Sequence, residues 1–419
     1  MTAVLILAAI GSVFVAFNNG ANDVANAFAP AVGAKALKIR HALFIAASLN
    51  LVGAVVLGSN VSKTLVDVVV NAQYFTNVNA YLAGMLACMI AAGSFIFAST
   101  HTGLPVSSTH AIVGGMVGVA IVTGGIKAIN WKFFSIMTLS WILTPFFSAA
   151  CSLATIKLIR GTIYSGGHDG VNNTMQRACD WIPAFACAIL LAVMAAVVHG
   201  TGVRGKFLTM RYVLPFLTLI IPAMYTFFRI VTIKLTVKFK GRGDYGIEHV
   251  FRRFQAGTSC LIGFAIGSND VANSVTPVVA VYFAAKLGRI PDSIGTGQIP
   301  IWILAMGGLG MSIGVLSLGH KVIGTLGKNI TLLTNSRGFS VDFSTAMTII
   351  LASVFGLPVS STHAATGSVI GVGLEKGLHG LNLRLLVKIF ATWFLTIPLS
   401  AMFTIFAYFI LRAIMLPFT

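Results

Sequence analysis

The chain has 419 residues, 57% of them hydrophobic and only 9% charged, with a mean hydropathy of +0.91. A soluble domain is about one quarter charged, so this composition excludes a soluble enzyme or binding module and points to an all-α polytopic membrane protein. The formal net charge of +18 does not imply a nucleic-acid partner, because the basic residues lie in short loops and not on one basic domain.

A bilayer-spanning helix needs roughly 20 apolar residues. The first stretch runs over 2–18 and continues past a polar break to about 35. It lacks a basic leader and a small-residue cleavage site, which predicts that it is retained as a helix. Further segments are predicted over 41–60, 78–99, 110–125, 133–159, 180–199 and 207–233, then 252–285, 299–318, 343–355, 364–374 and 385–413. These runs do not alternate as barrel strands would, so helices remain as the way to satisfy the backbone in lipid. The five cysteines form no CxxC pair and are expected to pack as small buried hydrophobes.

The order of these segments repeats. Gly20-Ala21-Asn22-Asp23-Val24-Ala25-Asn26 returns as Gly267-Ser268-Asn269-Asp270-Val271-Ala272-Asn273. Gly103-Leu104-Pro105-Val106-Ser107-Ser108-Thr109-His110 returns as Gly356-Leu357-Pro358-Val359-Ser360-Ser361-Thr362-His363. Weaker echoes agree: Gly58, Val61 and Thr64 match Gly319, Val322 and Thr325, and Trp141 to Thr144 match Trp393 to Thr396. The chain thus divides into a first repeat over 1–160, two linking helices and a loop over 161–251, and a second repeat over 252–419. An odd number of crossings from one repeat start to the next predicts that the repeats are inverted, with their motifs meeting near the midplane. The expected architecture has about twelve transmembrane segments, helices broken at the Asn-Asp motifs, and re-entrant-type Ser-Ser-Thr motifs. Lys and Arg favour one set of loops by roughly two to one, densest over 234–253, which puts that loop inside and both termini outside.

Of the ten acidic residues, only Asp23 and Asp270 fall inside these apolar segments away from their ends, Asp180 being the first residue of 180–199. A carboxylate at that depth costs at least roughly 2.5 kcal/mol and marks a functional site. With no Lys or Arg within ten residues of either in sequence, a bound cation or a proton is the expected compensation. Asn22, Asn26, Asn269 and Asn273 add oxygens suited to a hard cation such as sodium, and unwinding at Gly20 and Gly267 would expose carbonyls. In the second motif the residue before Pro is pushed out of the helical region, and Ser and Thr are good helix N-caps. Helices starting at Ser107 or Ser108, and at the equivalent Ser360 or Ser361, would aim free N–H groups and positive dipole ends at an oxyanion. Ser107, Ser108, Thr109, Ser360, Ser361 and Thr362 together form the expected cage for a tetrahedral anion. Asn26 and Asn273 are counted with it. His110 and His363 are read as helix-terminus histidines with satisfied rings.

At these residues the chain resembles the inorganic phosphate transporters, the Pit or type III sodium-phosphate cotransporters, over essentially its whole length. The resemblance implies a twelve-helix inverted-repeat carrier that is not an enzyme. It implies cation and substrate roles for Asp23, Asn26, Asp270 and Asn273, and phosphate contacts from Ser107, Ser108, Thr109, Ser360, Ser361 and Thr362. Asn22-Asp23 is similar to the sodium-coupled branch, whereas the proton-coupled branch tends to show His-Asp there. Animal relatives tend to carry Glu where this chain has Asn50, which bears on coupling stoichiometry. The expected function is cation-coupled, sodium-driven symport of inorganic phosphate by a multi-pass protein of a plasma (inner) membrane. No resident cofactor is expected, sodium or protons travel as cargo, and a homodimer is left open. A proton-coupled carrier, a sulfate carrier on the same scaffold, a channel, and a serine hydrolase using Ser108 and His110 are the alternatives.

Overall fold

The structure is a computed structural model that describes residues 2–69, 74–75, 77–102, 106–164, 170–200, 210–238, 243–290, 298–326, 333–377, 379 and 381–415. Among them are twelve α-helices. The first half holds α1 (Thr2–Gly33), α2 (Ile39–Val69), α3 (Val78–Thr102), α4 (Ser108–Gly124) and α5 (Trp131–Ile159). Then come α6 (Gly170–Gly200) and α7 (Met210–Lys238). The second half holds α8 (Gly243–Leu287), α9 (Ile301–Leu326), α10 (Asn335–Val354), α11 (Ser361–Leu374) and α12 (Leu383–Met415). Eight of these, α1, α2, α3, α5, α6, α7, α9 and α12, are long and apolar enough to cross a membrane. The protein is a multi-pass membrane protein.

Helices α4 and α11 have 17 and 14 residues. At 1.5 Å per residue they reach about 26 and 21 Å, short of a hydrocarbon core of about 30 Å. Their lengths therefore suit elements that end inside the protein, as the Ser-Ser-Thr motifs led us to expect. Matched asparagines cap the helices that follow. Asn130 Oδ1 accepts from Phe133 N at 3.4 Å at the start of α5, and Asn382 Oδ1 accepts from Leu385 N at 3.1 Å at the start of α12.

Packing exchanges partners between the halves. Helix α1 lies along α9 and α2 along α8, while α4 packs on α12 and α11 on α5. Residue by residue the contacts are reciprocal. Ser148 on α5 donates to the Ala364 carbonyl, and Ser400 on α12 donates to that of Ala111. Such reciprocity is what a two-fold relation between equivalent units produces.

Two expectations are corrected. The Asn-Asp motifs do not break their helices, since α1 and α8 run through them without interruption. Gly20 and Gly267 serve close approach instead of unwinding. A methyl at Gly20 would land on the Met311 backbone of α9, and one at Gly267 on the Asn50 backbone of α2. Small residues at a helix contact let backbones come together, and the unbroken helix keeps its own hydrogen bonds. The second correction concerns charge. Helix α10 begins at Asn335, before the apolar run starting at 343, and so carries Asp342 into the interior with no exposure. Asp23 and Asp270 are therefore not the only acidic residues within the helical core.

Candidate functional site

The site grows from two helix starts. Ser107 has extended backbone (φ −86°, ψ 112°), and its hydroxyl accepts from His110 N at 3.2 Å, capping α4. Ser360 repeats this at φ −86° and ψ 118°, accepting from His363 N at 3.3 Å to cap α11. Upstream of Ser360, Gly356 holds a φ of +67°, where a side chain would be strained. It closes α10 with two bonds, Leu357 N to Ala352 O at 2.8 Å and Gly356 N to Ser353 O at 3.1 Å. This helix stop releases the chain to Pro358 and a new helix start. The counterpart segment Gly103-Leu104-Pro105 lies outside the described residues.

The two starts are tied together crosswise. Thr109 donates to the Val359 carbonyl at 3.2 Å, and Thr362 donates to the Val106 carbonyl at 3.2 Å. Each Asn-Asp motif then reaches both starts. Asn26 donates to Thr362 Oγ1 at 2.9 Å and to Asp23 Oδ1 at 3.2 Å. Asn273 donates to the hydroxyls of Ser108 and Thr109, each at 3.2 Å. Ser108 donates to Asp23 Oδ2 at 3.1 Å. Asp23, Asp270, Ser107, Ser108, Thr109, Ser360, Ser361, Thr362 and Asn273 are all at most 3% exposed, and Asn26 is half-buried.

The two carboxylates are not equivalent. Asp23 accepts two hydrogen bonds, whereas both oxygens of Asp270 lack a partner, with the Ser361 hydroxyl beside them. The carboxylates lie close enough to feel each other's charge, and no ion pair among the described residues includes either one. Two desolvated like charges without a counter-charge are costly. Oxygen ligands around them suit a hard cation, and the helix starts beside them suit an oxyanion.

Asn22 and Asn269 stand slightly apart from this centre. The Asn22 amide donates to Thr100 Oγ1 at 3.2 Å, while that of Asn269 donates to Ser353 Oγ and the Leu357 carbonyl, each at 3.2 Å. Asn269 Oδ1 remains buried and unpartnered. Thr100 and Ser353 were missed in the sequence, although each stands seven residues before its Ser-Ser-Thr motif. Asn19, also missed, donates to the Asp270 carbonyl at 2.9 Å. Asp342 lies in a separate group, accepting from Ser259 Oγ at 2.6 Å.

The histidines face the other way. His110 Nδ1 donates to the Trp393 carbonyl at 3.2 Å and His363 Nδ1 to that of Trp141 at 3.0 Å. The rings pack edge to face, with centroids 4.7 Å apart. Ser108 is bonded to Asp23 and Asn273 and to no imidazole, so the arrangement lacks the serine–histidine pair a hydrolase needs.

Known proteins resemble this chain over nearly its full length. The profile of the phosphate transporter family matches residues 19–404. A relative in Thermococcus kodakarensis that carries the name "putative phosphate permease" is 38% identical over 396 residues, covering 94% of each chain. One of the same name in Chlamydia muridarum is 36% identical over 430 residues, covering 98% of this chain and 99% of its own. Among solved structures, one titled as the sodium-dependent phosphate transporter superposes with a TM-score of 0.90 at 38% identity, covering 99% of this chain and 100% of its own. These relatives are transporters and not enzymes. The chain belongs to the phosphate transporter family.

Proposed function

We propose that the protein carries inorganic phosphate together with sodium, by alternating access around one site shared between its halves. The observation that carries this reading is the crosswise polar centre, in which two buried carboxylates without a basic partner adjoin two facing helix starts. Phosphate would be held by the Ser107, Ser108 and Thr109 start and the Ser360, Ser361 and Thr362 start, with Asn26 and Asn273 between them. Sodium would be held beside Asp23 and Asp270, with oxygens from Asn22 and Asn269. The orphaned Asp270 oxygens and the Asn269 Oδ1 support that assignment. The solved relative described as sodium-dependent supports sodium over protons.

Among the described residues no arginine enters the centre, and that suits a carrier. A bidentate guanidinium would hold phosphate tightly, whereas hydroxyls and amides release it once the cations leave. Our reading keeps the division into repeats over 1–160 and 252–419 with linking helices over 161–251. It sets the repeats inverted in a plasma (inner) membrane, both termini outside; the reciprocal contacts support the pairing of the halves, and the Lys and Arg bias of the loops supports the orientation.

The test is radiolabelled phosphate uptake into proteoliposomes under an inward sodium gradient, compared with an inward proton gradient at zero sodium. Unlabelled sulfate serves as competitor in both. Sodium-driven, sulfate-insensitive uptake is expected. Uptake driven by protons alone would make the carboxylates proton carriers, and transport of sulfate in place of phosphate would reassign the anion.

A further inference from the structure

Away from the polar centre, α6, α7 and α8 enclose a groove of about 290 Å³. Ile189, Phe228, Val231, Phe254 and Leu261 line it, so most of its wall is apolar. This corner of the molecule is exposed apolar surface on membrane-spanning helices. Only 11% of the apolar window of α7 is buried, less than in any other candidate span, and Phe227 at the groove is 61% exposed.

One formal charge borders the groove. Arg253, on α8, is exposed and has no ion-pair partner among the described residues. Arg252, Lys234 and Lys238 follow on the same two helices toward their shared connection. The acids on these helices offset them only in part. Asp180 is engaged by Arg229 at 3.3 Å, and Glu248 accepts from Tyr164 at 3.1 Å and from Ser336 Oγ at 2.6 Å. Asp244, in the first turn of α8, is the remaining acid on this helix before the groove.

We infer that this groove is a phospholipid site, in which one acyl chain fills the apolar trough and Arg253 holds an anionic headgroup phosphate. Arg presents a planar donor fork that matches phosphate, and its aliphatic stem can lie on apolar surface while the head reaches the interface. Basic pockets between membrane helices recognise anionic headgroups by this combination. A free phosphate ion would leave the trough uncovered, so the lipid is the occupant that satisfies both halves of the site.

Gly257 supplies a clean probe. It lines the groove, and a Cβ added there meets nothing within 4 Å. Gly257→Leu therefore starts its side chain in open space and extends it into the trough. The experiment is native mass spectrometry of the full-length protein in detergent, equilibrated with mixed phosphatidylglycerol and phosphatidylcholine. Wild type is expected to retain phosphatidylglycerol selectively. Arg253→Gln should lower that preference by roughly fivefold, and Gly257→Leu should reduce retention of both lipids. Phosphate uptake in phosphatidylcholine vesicles should be the same for Gly257→Leu as for wild type, showing that the variant is folded. Unchanged phosphatidylglycerol retention in Arg253→Gln would overturn the inference, as would displacement of the lipid by inorganic phosphate. A Gly257→Leu variant that alters a monomer–dimer ratio and leaves the lipid count unchanged would assign the groove to a second copy.

Discussion

Asp23 and Asp270 occupy matching places in the two halves, yet their surroundings differ. Asp23 accepts from Ser108 and Asn26, while both Asp270 oxygens are orphaned. Asp270 has the Ser361 hydroxyl beside it but no formed hydrogen bond, so it relies on a cation more than Asp23, which accepts from two protein donors. Asp270→Asn is expected to abolish sodium-driven uptake, and Asp23→Asn to lower it by roughly tenfold to a hundredfold, the range of a charge-assisted contact. Radiolabelled uptake at equal amounts of inserted protein measures both. Wild-type rates in either variant would remove that carboxylate from the mechanism. The carboxylates were legible in the sequence because each is the lone acid deep inside an apolar segment and because their motif appears twice. Asp342 was not, since a helix start eight residues earlier than the apolar run cannot be seen from hydropathy. Asn19 was hidden for a different reason: its partner is 251 residues away.

At the scale of single elements, the Ser-Ser-Thr motif announced its helices. Pro358 bars the helical region just before, and Ser360 caps the turn just after, both local effects that a sequence displays. Ser107→Ala and Ser360→Ala should each cost about 1 kcal/mol of stability. Chemical denaturation reads this, and Ser→Thr at the same positions should restore most of it. The Asn-Asp helices were less legible. Gly20 and Gly267 suggested unwinding, because a helical glycine costs about 1 kcal/mol relative to alanine, and only the neighbouring backbone explains why they stand there. Gly20→Ala and Gly267→Ala should therefore destabilise by about 1–3 kcal/mol through overpacking. Gly257→Ala, entering open space on α8, should be neutral or stabilising. Thermal melts of the three variants separate these outcomes; equal losses at all three would leave close packing without its role.

Across the whole molecule, each half is incomplete alone. The α4 start rests on the Val359 carbonyl and the Trp393 carbonyl, and the α11 start on those of Val106 and Trp141. The repeat was legible from the motifs, but the exchange of partners was not, because it is a property of contacts between segments far apart in the chain. If the halves are inverted, the turns after α4 and α11 face opposite sides of the membrane. Ile126 is 65% exposed in the first turn, and Lys376 is exposed in the second. Single cysteines at these two positions, with the five native cysteines replaced, should react with a membrane-impermeant maleimide from opposite sides. Labelling of both from one side would contradict the inverted arrangement.

The most direct test of one shared, cation-linked site is calorimetric titration of phosphate into the purified protein across a series of sodium concentrations. The expected result is one phosphate per chain, with sodium tightening phosphate by the same factor by which phosphate tightens sodium. Two independent phosphates per chain, or an affinity indifferent to sodium, would contradict it.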